Sequence, residues 1–260
     1  MTGPGSTQTH ALGLLRGEPC SRSIPLPPDF GGGFVVYSWE QREGQGQYQR
    51  PWQHCGEALA LTVAWPLQRL TCLGLPPGHS PPWPLWLSVV IRDALSNWLG
   101  ERLREPLDLK WPNDLLLGGG KVAGILVQQC QSRGQTWVVA GVGVNLRWHQ
   151  PPTDGLVAAG LIQSLPKIHR EEVLECLLEA IGQLSSQTVI DADEMAARFN
   201  AGHRYQSMSV EFIDTGGQGL HSEGRVRGVS PRGGLLLELS GQEVHEYNLG
   251  TLSMREAKPA

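Results

Sequence analysis

The sequence predicts a mixed α/β (α+β) fold, in which a mostly antiparallel sheet carries helices and a small β-barrel follows. Three β-prone runs between residues 107 and 146 are separated by short turns that contain glycine, which is typical of an antiparallel meander. Residues 170–185 place apolar side chains on one face of a helix. After Gly202 the chain changes to short β-prone runs between glycine-rich turns. We therefore predict two domains, residues 1–205 and residues 206–260.

The expected elements can be placed along the chain from apolar spacing and turn residues. In the first part they are a short helix capped by Ser6 or Thr7, a strand at 34–37, a polar loop at 39–52, a strand at 57–66, a proline-rich loop at 76–84 and a helix at 85–103. They continue with strands at 107–117, 121–130 and 136–146, helices at 154–163, 170–185 and 191–200, and barrel strands at 209–213, 224–228, 235–239 and 244–254.

Composition and charge exclude several classes of protein. With 21 basic and 25 acidic residues the net charge is −4, and no run of lysine or arginine predicts a nucleic-acid or membrane partner. The first residues lack the basic segment and apolar core typical of a signal peptide, and no apolar run approaches the ~18 residues of a membrane span. The five cysteines are scattered without metal-ligand spacing, so we expect free thiols, a cytoplasmic location and no protein metal site.

Four polar side chains stand within β-prone sequence near the middle of the chain, where an unpaired buried polar group costs several kcal/mol. They are Lys110, Asn113, Asp114 and Lys121. A solvated surface hairpin would explain a lone lysine after three glycines, but it does not explain four such groups together. The cluster therefore predicts a functional site.

The glycines at 118–120 are expected to form the turn of a hairpin, because glycine adopts the positive φ that tight turns need. Leu117 would then pair with Lys121, and Asn113 with Ile125. Strand alternation would place Lys121 on the face of Trp111 and Asn113, with Lys110 and Asp114 on the opposite face. A single bulge would reverse that arrangement.

Two common glycine motifs are excluded. A phosphate-binding P-loop ending at Lys121 would need glycine at position 115 and serine or threonine at 122, where the chain has Leu115 and Val122. A dinucleotide fingerprint in the polar loop fails because its third glycine position holds Gln49. The loop remains a flexible segment that could wrap a ligand, with Arg50 as its cation.

Glycines 141 and 143 interrupt the third strand of the meander, which indicates that another group approaches its backbone closely. Asn145, at the end of this strand, either donates to a ligand or caps a turn. Trp52 either covers a ligand or fills the core.

The blocks Lys110-Trp111-Pro112-Asn113-Asp114, Lys121-x-x-Gly124-Ile125-Leu126 and Gly141-Val142-Gly143-Val144-Asn145 together resemble those of the biotin protein ligases. Lipoate ligases share the fold but lack the first block. Ser6-Thr7-Gln8 resembles the family's S-T-N, and residues 44–52 resemble its G-R-G-R-x-G-R-x-W loop. The resemblance implies a fold related to class II aminoacyl-tRNA synthetases, closed by an SH3-like barrel over 224–255. No winged helix precedes it, so a monofunctional type without repressor activity is expected.

The resemblance implies a reaction in two steps. Biotin attacks ATP to give biotinyl-AMP and pyrophosphate, with Mg²⁺, and a lysine of a biotin carboxyl carrier protein then attacks the adenylate. That carrier would belong to acetyl-CoA carboxylase, and the ligase would be a monomer or homodimer. The alternatives are a ligase for another small carboxylate such as lipoate, and a protein that binds biotin or its adenylate without transferring it.

Site residues follow from matching positions in the same motifs. The expected catalytic residues are Lys121, Lys110 and Asp114. Those expected to bind biotin are Ser6, Thr7, Gln8, Gln41, Gln45, Gly46, Gln47, Lys121 and Gly124. Those expected to bind ATP or the adenylate are Arg50, Trp52, Lys110, Asn113, Asp114 and Asn145.

The chain departs from the family pattern in its loop, where two arginines are Gln45 and Gln47 and the third glycine is Gln49. Glutamine can hydrogen-bond a phosphate but cannot neutralise it, so weaker retention of the adenylate is expected. The S-T-Q motif also begins at residue 6, which leaves no room for the strand that precedes it in the family. Either that strand is dispensable or the true start codon lies upstream.

Overall fold

The structure is a computed structural model, and it describes most of the chain. The described residues are 5–18, 24–25, 32–47, 51–52, 56–67, 71–76, 78–149, 158–163, 165, 167–187, 189–213, 221–240, 243–248 and 250–253.

A seven-stranded sheet forms the centre of the larger part, in the order β1-β2-β3-β8-β7-β6-β5, with every neighbouring pair antiparallel. Its strands are β1 (Ile24–Pro25), β2 (Phe34–Ser38), β3 (Gly56–Pro66), β5 (Leu107–Lys110), β6 (Asp114–Leu117), β7 (Gly120–Ser132) and β8 (Gln135–Trp148). A separate parallel pair joins β4 (Thr71–Leu73) to β9 (Val189–Asp191). The predicted antiparallel meander is confirmed.

Four α-helices accompany the sheet in the described part of the chain: α1 (Thr7–Leu15), α2 (Trp83–Leu99), α3 (Arg170–Ser186) and α4 (Ala192–Gly202). The helices at 170–185 and 191–200 are confirmed within one or two residues at each end. α2 begins two residues before the predicted start and ends at Leu99, where Gly100 takes a positive φ of 51° and a short 3₁₀ turn follows.

The sheet has one fully packed face and one face that leaves room for a ligand. Along β3, Leu59, Leu61 and Val63 belong to the main core beneath α2 and α3. The residues between them face the other way, where α1 covers a smaller apolar cluster that includes Ala64. The period-two alternation of a strand therefore separates core from site.

Two of the elements predicted before residue 205 are wrong. The strand expected at 107–117 is divided into β5 and β6 by a turn at residues 111–113, so the polar block lies at a hairpin tip. Residues 158–163 of the helix expected at 154–163 form a bridge to Lys121 and a turn, while 154–157 lie outside the described residues. Backbone bonds from Ala159 to Lys121 and from Leu161 to Asn145 hold this segment beside the sheet.

The C-terminal part is a five-stranded antiparallel sheet in the order β13-β12-β11-β10-β14. Its strands are β10 (Ser209–Ile213), β11 (His221–Val229), β12 (Leu235–Glu238), β13 (Val244–Tyr247) and β14 (Thr251–Ser253). The single strand predicted at 244–254 is two strands, and they lie at opposite edges of this sheet. Closure of the sheet into a barrel stays a prediction.

The C-terminal sheet contacts the predicted site directly. Trp111, in the turn between β5 and β6, is fully buried and donates its indole N–H to the carbonyl of Gly233 at 2.9 Å. Its ring also lies 6.3 Å from that of Phe212.

None of the helices in the described ranges has the length and apolar character needed to cross a lipid bilayer.

Candidate active site

A cavity of about 490 Å³ lies on the open face of the large sheet. Its floor is built from β3, β7 and β8, and its rim from the start of α1, residues 41–47 and 51–52 of the polar loop, and the turn at 111–113. The predicted site residues that line it are Ser6, Thr7, Gln8, Gln41, Gln45, Gly46, Gln47, Trp52, Lys110, Asn113, Asp114, Lys121, Gly124 and Asn145. Arg50, which was also predicted to belong to the site, lies outside the described residues.

The hairpin register differs from the prediction at the glycine turn. Leu117 pairs with Gly120 and Leu116 with Lys121, and a bulge then restores the predicted pairing, so that Asp114 lies opposite Gly124. The bulge reverses the expected facing. Lys121 Nζ lies 2.6 Å from Asp114 Oδ1, on the same side of the sheet.

The turn that carries Asn113 is fixed by bonds to β7. The Asn113 side-chain amide donates to the carbonyl of Ile125 at 2.6 Å, and the Ile125 N–H donates to the carbonyl of Asn113 at 3.0 Å. The Trp111–Pro112 peptide bond is cis. Lys110 and Asp114, which flank the turn as a cross-strand pair, are therefore held at the cavity.

Lys110 has an unusual electrostatic environment. Burial lowers the pKa of its ammonium, the nearby Asp114 carboxylate raises it, and the charge of Lys121 lowers it again. The ammonium of Lys110 also lies 6.0 Å from the centre of the Tyr205 ring. Two cations and one carboxylate thus share this end of the cavity, which favours an additional anion there.

A neutral network occupies the region around α1, β3 and β8. Both the backbone N–H and the hydroxyl of Thr7 donate to Gln41 Oε1, at 2.9 and 3.2 Å. The hydroxyl of Thr62, fully buried in β3, donates to Thr7 Oγ1 at 3.0 Å. The Gln8 amide donates to the carbonyl of Val139 and to Gln128, each at 3.1 Å. Ser6 caps α1 by accepting from the Thr9 N–H, which leaves its own hydroxyl proton available.

Trp52 lies across two glycines of the sheet. A Cβ at Gly143 would lie 2.6 Å from its ring, and a Cβ at Gly124 would lie 2.7 Å from it. The Lys121 ammonium lies 5.0 Å from the centre of the same ring. Trp52 is therefore part of the cavity wall and does not belong to the main core.

Asn145 lies in β8 and bonds to the neighbouring strand β7. Its amide donates to the carbonyl of Lys121 at 3.1 Å, so it holds the backbone that carries this lysine. Its Oδ1 is buried and has no hydrogen-bond partner among the described residues. An unpaired buried acceptor of this kind favours a donor supplied by a ligand.

No cluster of three or more His, Cys, Asp or Glu side chains in the described ranges could hold a metal ion. Among the described residues that line the cavity, Asp114 is the one carboxylate. Mg²⁺ is commonly held by one or two carboxylates together with substrate phosphates. Asp114 therefore fits an ion that arrives with a nucleotide.

The chain is similar in sequence to known ligases. A sequence profile of the biotin/lipoate A/B protein ligase family matches residues 30–145. A biotin–[acetyl-CoA-carboxylase] ligase of Paracoccus denitrificans is 31% identical over 179 residues, which cover 64% of this chain and 69% of that protein. The chain belongs to the biotin protein ligase family. A second such ligase, from Mycobacterium tuberculosis, is 27% identical over 82% of this chain and 76% of its own length.

Solved structures of biotin protein ligases share the fold. The enzyme from Aquifex aeolicus in complex with biotin and ATP superposes with a TM-score of 0.70 at 22% identity, over 97% of this chain and 95% of that one. The enzyme from Leishmania major in complex with biotinyl-5-AMP gives a TM-score of 0.59 at 16% identity, over 94% and 95%. The mixed α/β fold with a mostly antiparallel sheet is thereby confirmed.

The sequence analysis missed several residues of this site. Thr62 is the one polar residue in the stretch 58–66 of β3, a signal that could have been recognised. Trp148 and Ala158 line the cavity from the end of β8 and the segment after it, and no local pattern marks them. Tyr205 reaches Lys110 from beyond α4, a contact that depends on the tertiary fold.

Proposed function

We propose that this chain activates biotin with ATP to form biotinyl-5′-AMP and then transfers biotin to a lysine of the carrier domain of acetyl-CoA carboxylase. The relatives of Paracoccus and Mycobacterium are named for this activity. The observation that carries the proposal is the division of one cavity into a neutral part and a charged part. The neutral part is centred on Thr7 and Gln41, and the charged part on Lys121, Lys110 and Asp114.

The neutral part suits the ureido ring of biotin, which offers one carbonyl acceptor and two N–H donors. Hydroxyl and amide groups can match both kinds of atom, since each can donate and accept. The dithiolane ring of lipoate has neither donor nor acceptor of comparable strength. Biotin could exchange hydrogen bonds with Thr7, Gln8 and Gln41, whereas lipoate would only displace water from these polar groups, which favours biotin as the substrate.

The charged part suits the first chemical step. A carboxylate and a triphosphate repel each other, so their approach requires cations fixed at the reacting atoms. Lys121 donates to the biotin carboxylate and then to the acyl phosphate, while Lys110 binds a phosphate oxygen. Asn113 and Asn145 orient the nucleotide through their amides. Mg²⁺ held by Asp114 and phosphate oxygens would supply further neutralisation.

In the second step the amine of the carrier lysine attacks the mixed anhydride and AMP leaves. The incoming group arrives as an ammonium and must lose a proton. Asp114 attracts it electrostatically, and its carboxylate can accept that proton.

Finer features are part of the same proposal. We assign residues 1–205 to the catalytic domain and 206–260 to an SH3-like barrel, a division supported by the separation of the strands into a seven-stranded sheet and a five-stranded sheet. The described cysteines Cys72, Cys130 and Cys176 are free thiols, which supports the cytoplasm as the site of the reaction.

Two assays test the function. Biotin-dependent exchange between ATP and pyrophosphate should occur, and lipoate should support exchange at a small fraction of that rate. Transfer of labelled biotin to a purified carrier domain should require ATP and the carrier's acceptor lysine. Biotin binding without exchange would establish a binding protein instead, and exchange with lipoate alone would establish a different ligase.

A further inference from the structure

His203 follows α4 and is 5% exposed, with its ring packed between those of Phe199 and Tyr205. It does not line the cavity, and no predicted role includes it. It nevertheless contacts the turn at 111–113, which lies between Lys110 and Asp114.

Two hydrogen bonds connect this segment to the backbone on either side of Lys110. The N–H of Trp111 donates to Nε2 of His203 at 3.4 Å, and the N–H of Arg204 donates to the carbonyl of Leu109 at 2.8 Å. Leu109 and His203 also form an isolated parallel bridge. The backbone before and after Lys110 is therefore held by two consecutive residues from another part of the chain.

The bond from Trp111 requires one particular tautomer. Nε2 can accept only if it carries no proton, so the imidazole must be neutral with its proton on Nδ1. Burial lowers the pKa of His203 to about 4, which keeps the ring neutral near pH 7. Nδ1 is buried and has no partner among the described residues.

An apolar residue would fill the same space without the unpaired Nδ1–H that the histidine ring buries, so packing alone does not account for histidine here. The acceptor at Nε2 is the feature that an apolar residue would lack. The group it holds is the backbone next to one of the two lysines assigned to the first chemical step.

We infer that His203 is a positioning residue for adenylate formation, which fixes Lys110 and the turn at 111–113 through the N–H of Trp111. This inference rests on the proposed function and adds a residue to it. His203 does not touch the substrates; it sets the geometry of groups that do. Displacement of a catalytic group by about 1 Å can lower a rate by about a hundredfold.

Two substitutions at His203 distinguish the effect of losing the hydrogen-bond acceptor from the effect of changing the side-chain volume. In His203→Gln the side-chain oxygen can reach the place of Nε2, whereas His203→Leu fills the space without an acceptor. We expect His203→Leu to lower kcat for biotin-dependent ATP–pyrophosphate exchange by about tenfold to a hundredfold. KM for biotin should change by less than about twofold, because the Thr7 and Gln41 network lies elsewhere, and His203→Gln should restore most of kcat.

His79→Leu, at an exposed histidine that is not among the residues lining the cavity, serves as the matched control and should leave kcat unchanged. Wild-type kcat in His203→Leu would overturn the inference, as would equal losses in the Leu and Gln variants. Absence of exchange in the wild-type protein would instead overturn the proposed function.

A second measurement does not depend on any variant folding. Nitrogen NMR of wild-type protein with labelled histidine reports which ring nitrogen carries the proton. We expect His203 to show a protonated Nδ1 and an unprotonated Nε2 at pH 7. A protonated Nε2 would show that it cannot accept from Trp111, and the inference would fail.

Discussion

Lys121 Nζ and Asp114 Oδ1 form an ion pair at 2.6 Å, with side chains 24% and 17% exposed. Asp114 Oδ1 makes no hydrogen bond beyond this contact among the described residues. The ammonium is thus held by a carboxylate of the protein before any substrate carboxylate arrives. The ion pair orients Lys121 and leaves its ammonium positively charged. A substrate carboxylate that binds Lys121 has to share the ammonium with Asp114 or replace Asp114 as its partner.

Asp114→Asn should impair both chemical steps. Two partly buried lysines would lose their shared carboxylate, and the pKa of Lys110 would fall further because Asp114 raises it. The alkaline limb of the pH profile for exchange should therefore move to lower pH, with kcat about tenfold or more below wild type. Glu238→Gln, which removes an ion pair with Arg227 in the C-terminal sheet, is the control. An unshifted alkaline limb would argue against this electrostatic role.

Gly143→Ala should disturb the position of Trp52. The added Cβ would lie 2.6 Å from the ring, and such overpacking typically costs about 1–3 kcal/mol. We expect adenylate formation to fall by about tenfold. In a Trp52→Ala background the same substitution should have much less effect, because the clash is removed. Fully additive effects in the double variant would show that the two residues do not interact.

Gln45→Arg should slow the release of biotinyl-AMP. A charge-assisted hydrogen bond is worth roughly 1.5–3 kcal/mol against ~1 kcal/mol for a neutral one, so dissociation should slow by about fivefold. The rate can be followed by chasing labelled adenylate from the protein. Equal rates in the two proteins would mean that Gln45 does not contact the adenylate phosphate.

The stability of the fold should depend on pH through His203. Its pKa is about 4 in the folded chain against 6.5 for an ordinary histidine, so the unfolded chain takes up the proton first as the pH falls. The stabilisation is complete above pH 6.5 and is lost as the pH falls towards 4. Between pH 7.5 and pH 5 this residue should remove roughly 2 kcal/mol of unfolding free energy.

Urea unfolding of the wild type and of His203→Gln at both pH values isolates that contribution. The variant should lose less stability than the wild type over this range by the same amount. If the two proteins lose equal stability, His203 is not buried as a neutral ring.

Local sequence predicted the meander and the amphipathic helices well, because their apolar spacing matches the way they pack. It also predicted that Asn113 and Ile125 meet, which the bond between Ile125 N–H and the Asn113 carbonyl confirms. The facing of Lys121 was wrong because one bulge near Leu115 changes which residues share a side, and no residue type marks that bulge.

The rest of the site depends on contacts between distant parts of the chain. The turn at Trp111 was expected to continue a strand, but its indole binds Gly233 and its backbone binds His203, both remote in sequence. Residues 158–163 were expected to be helical, but hydrogen bonds to Lys121 and Asn145 place them along the sheet. The spacing of apolar residues along the sequence does not predict hydrogen bonds between distant parts of the chain.

Lys121→Ala, assayed for biotin-dependent ATP–pyrophosphate exchange, tests the central claim most directly. Lys167→Ala, at an exposed lysine outside the cavity, controls for loss of a charge, and thermal unfolding controls for the fold. Loss of a preorganised cation should lower kcat by about 10²–10³ in a folded protein. Exchange at the wild-type rate in folded Lys121→Ala would contradict the assignment of this ammonium to the reacting carboxylate and phosphate.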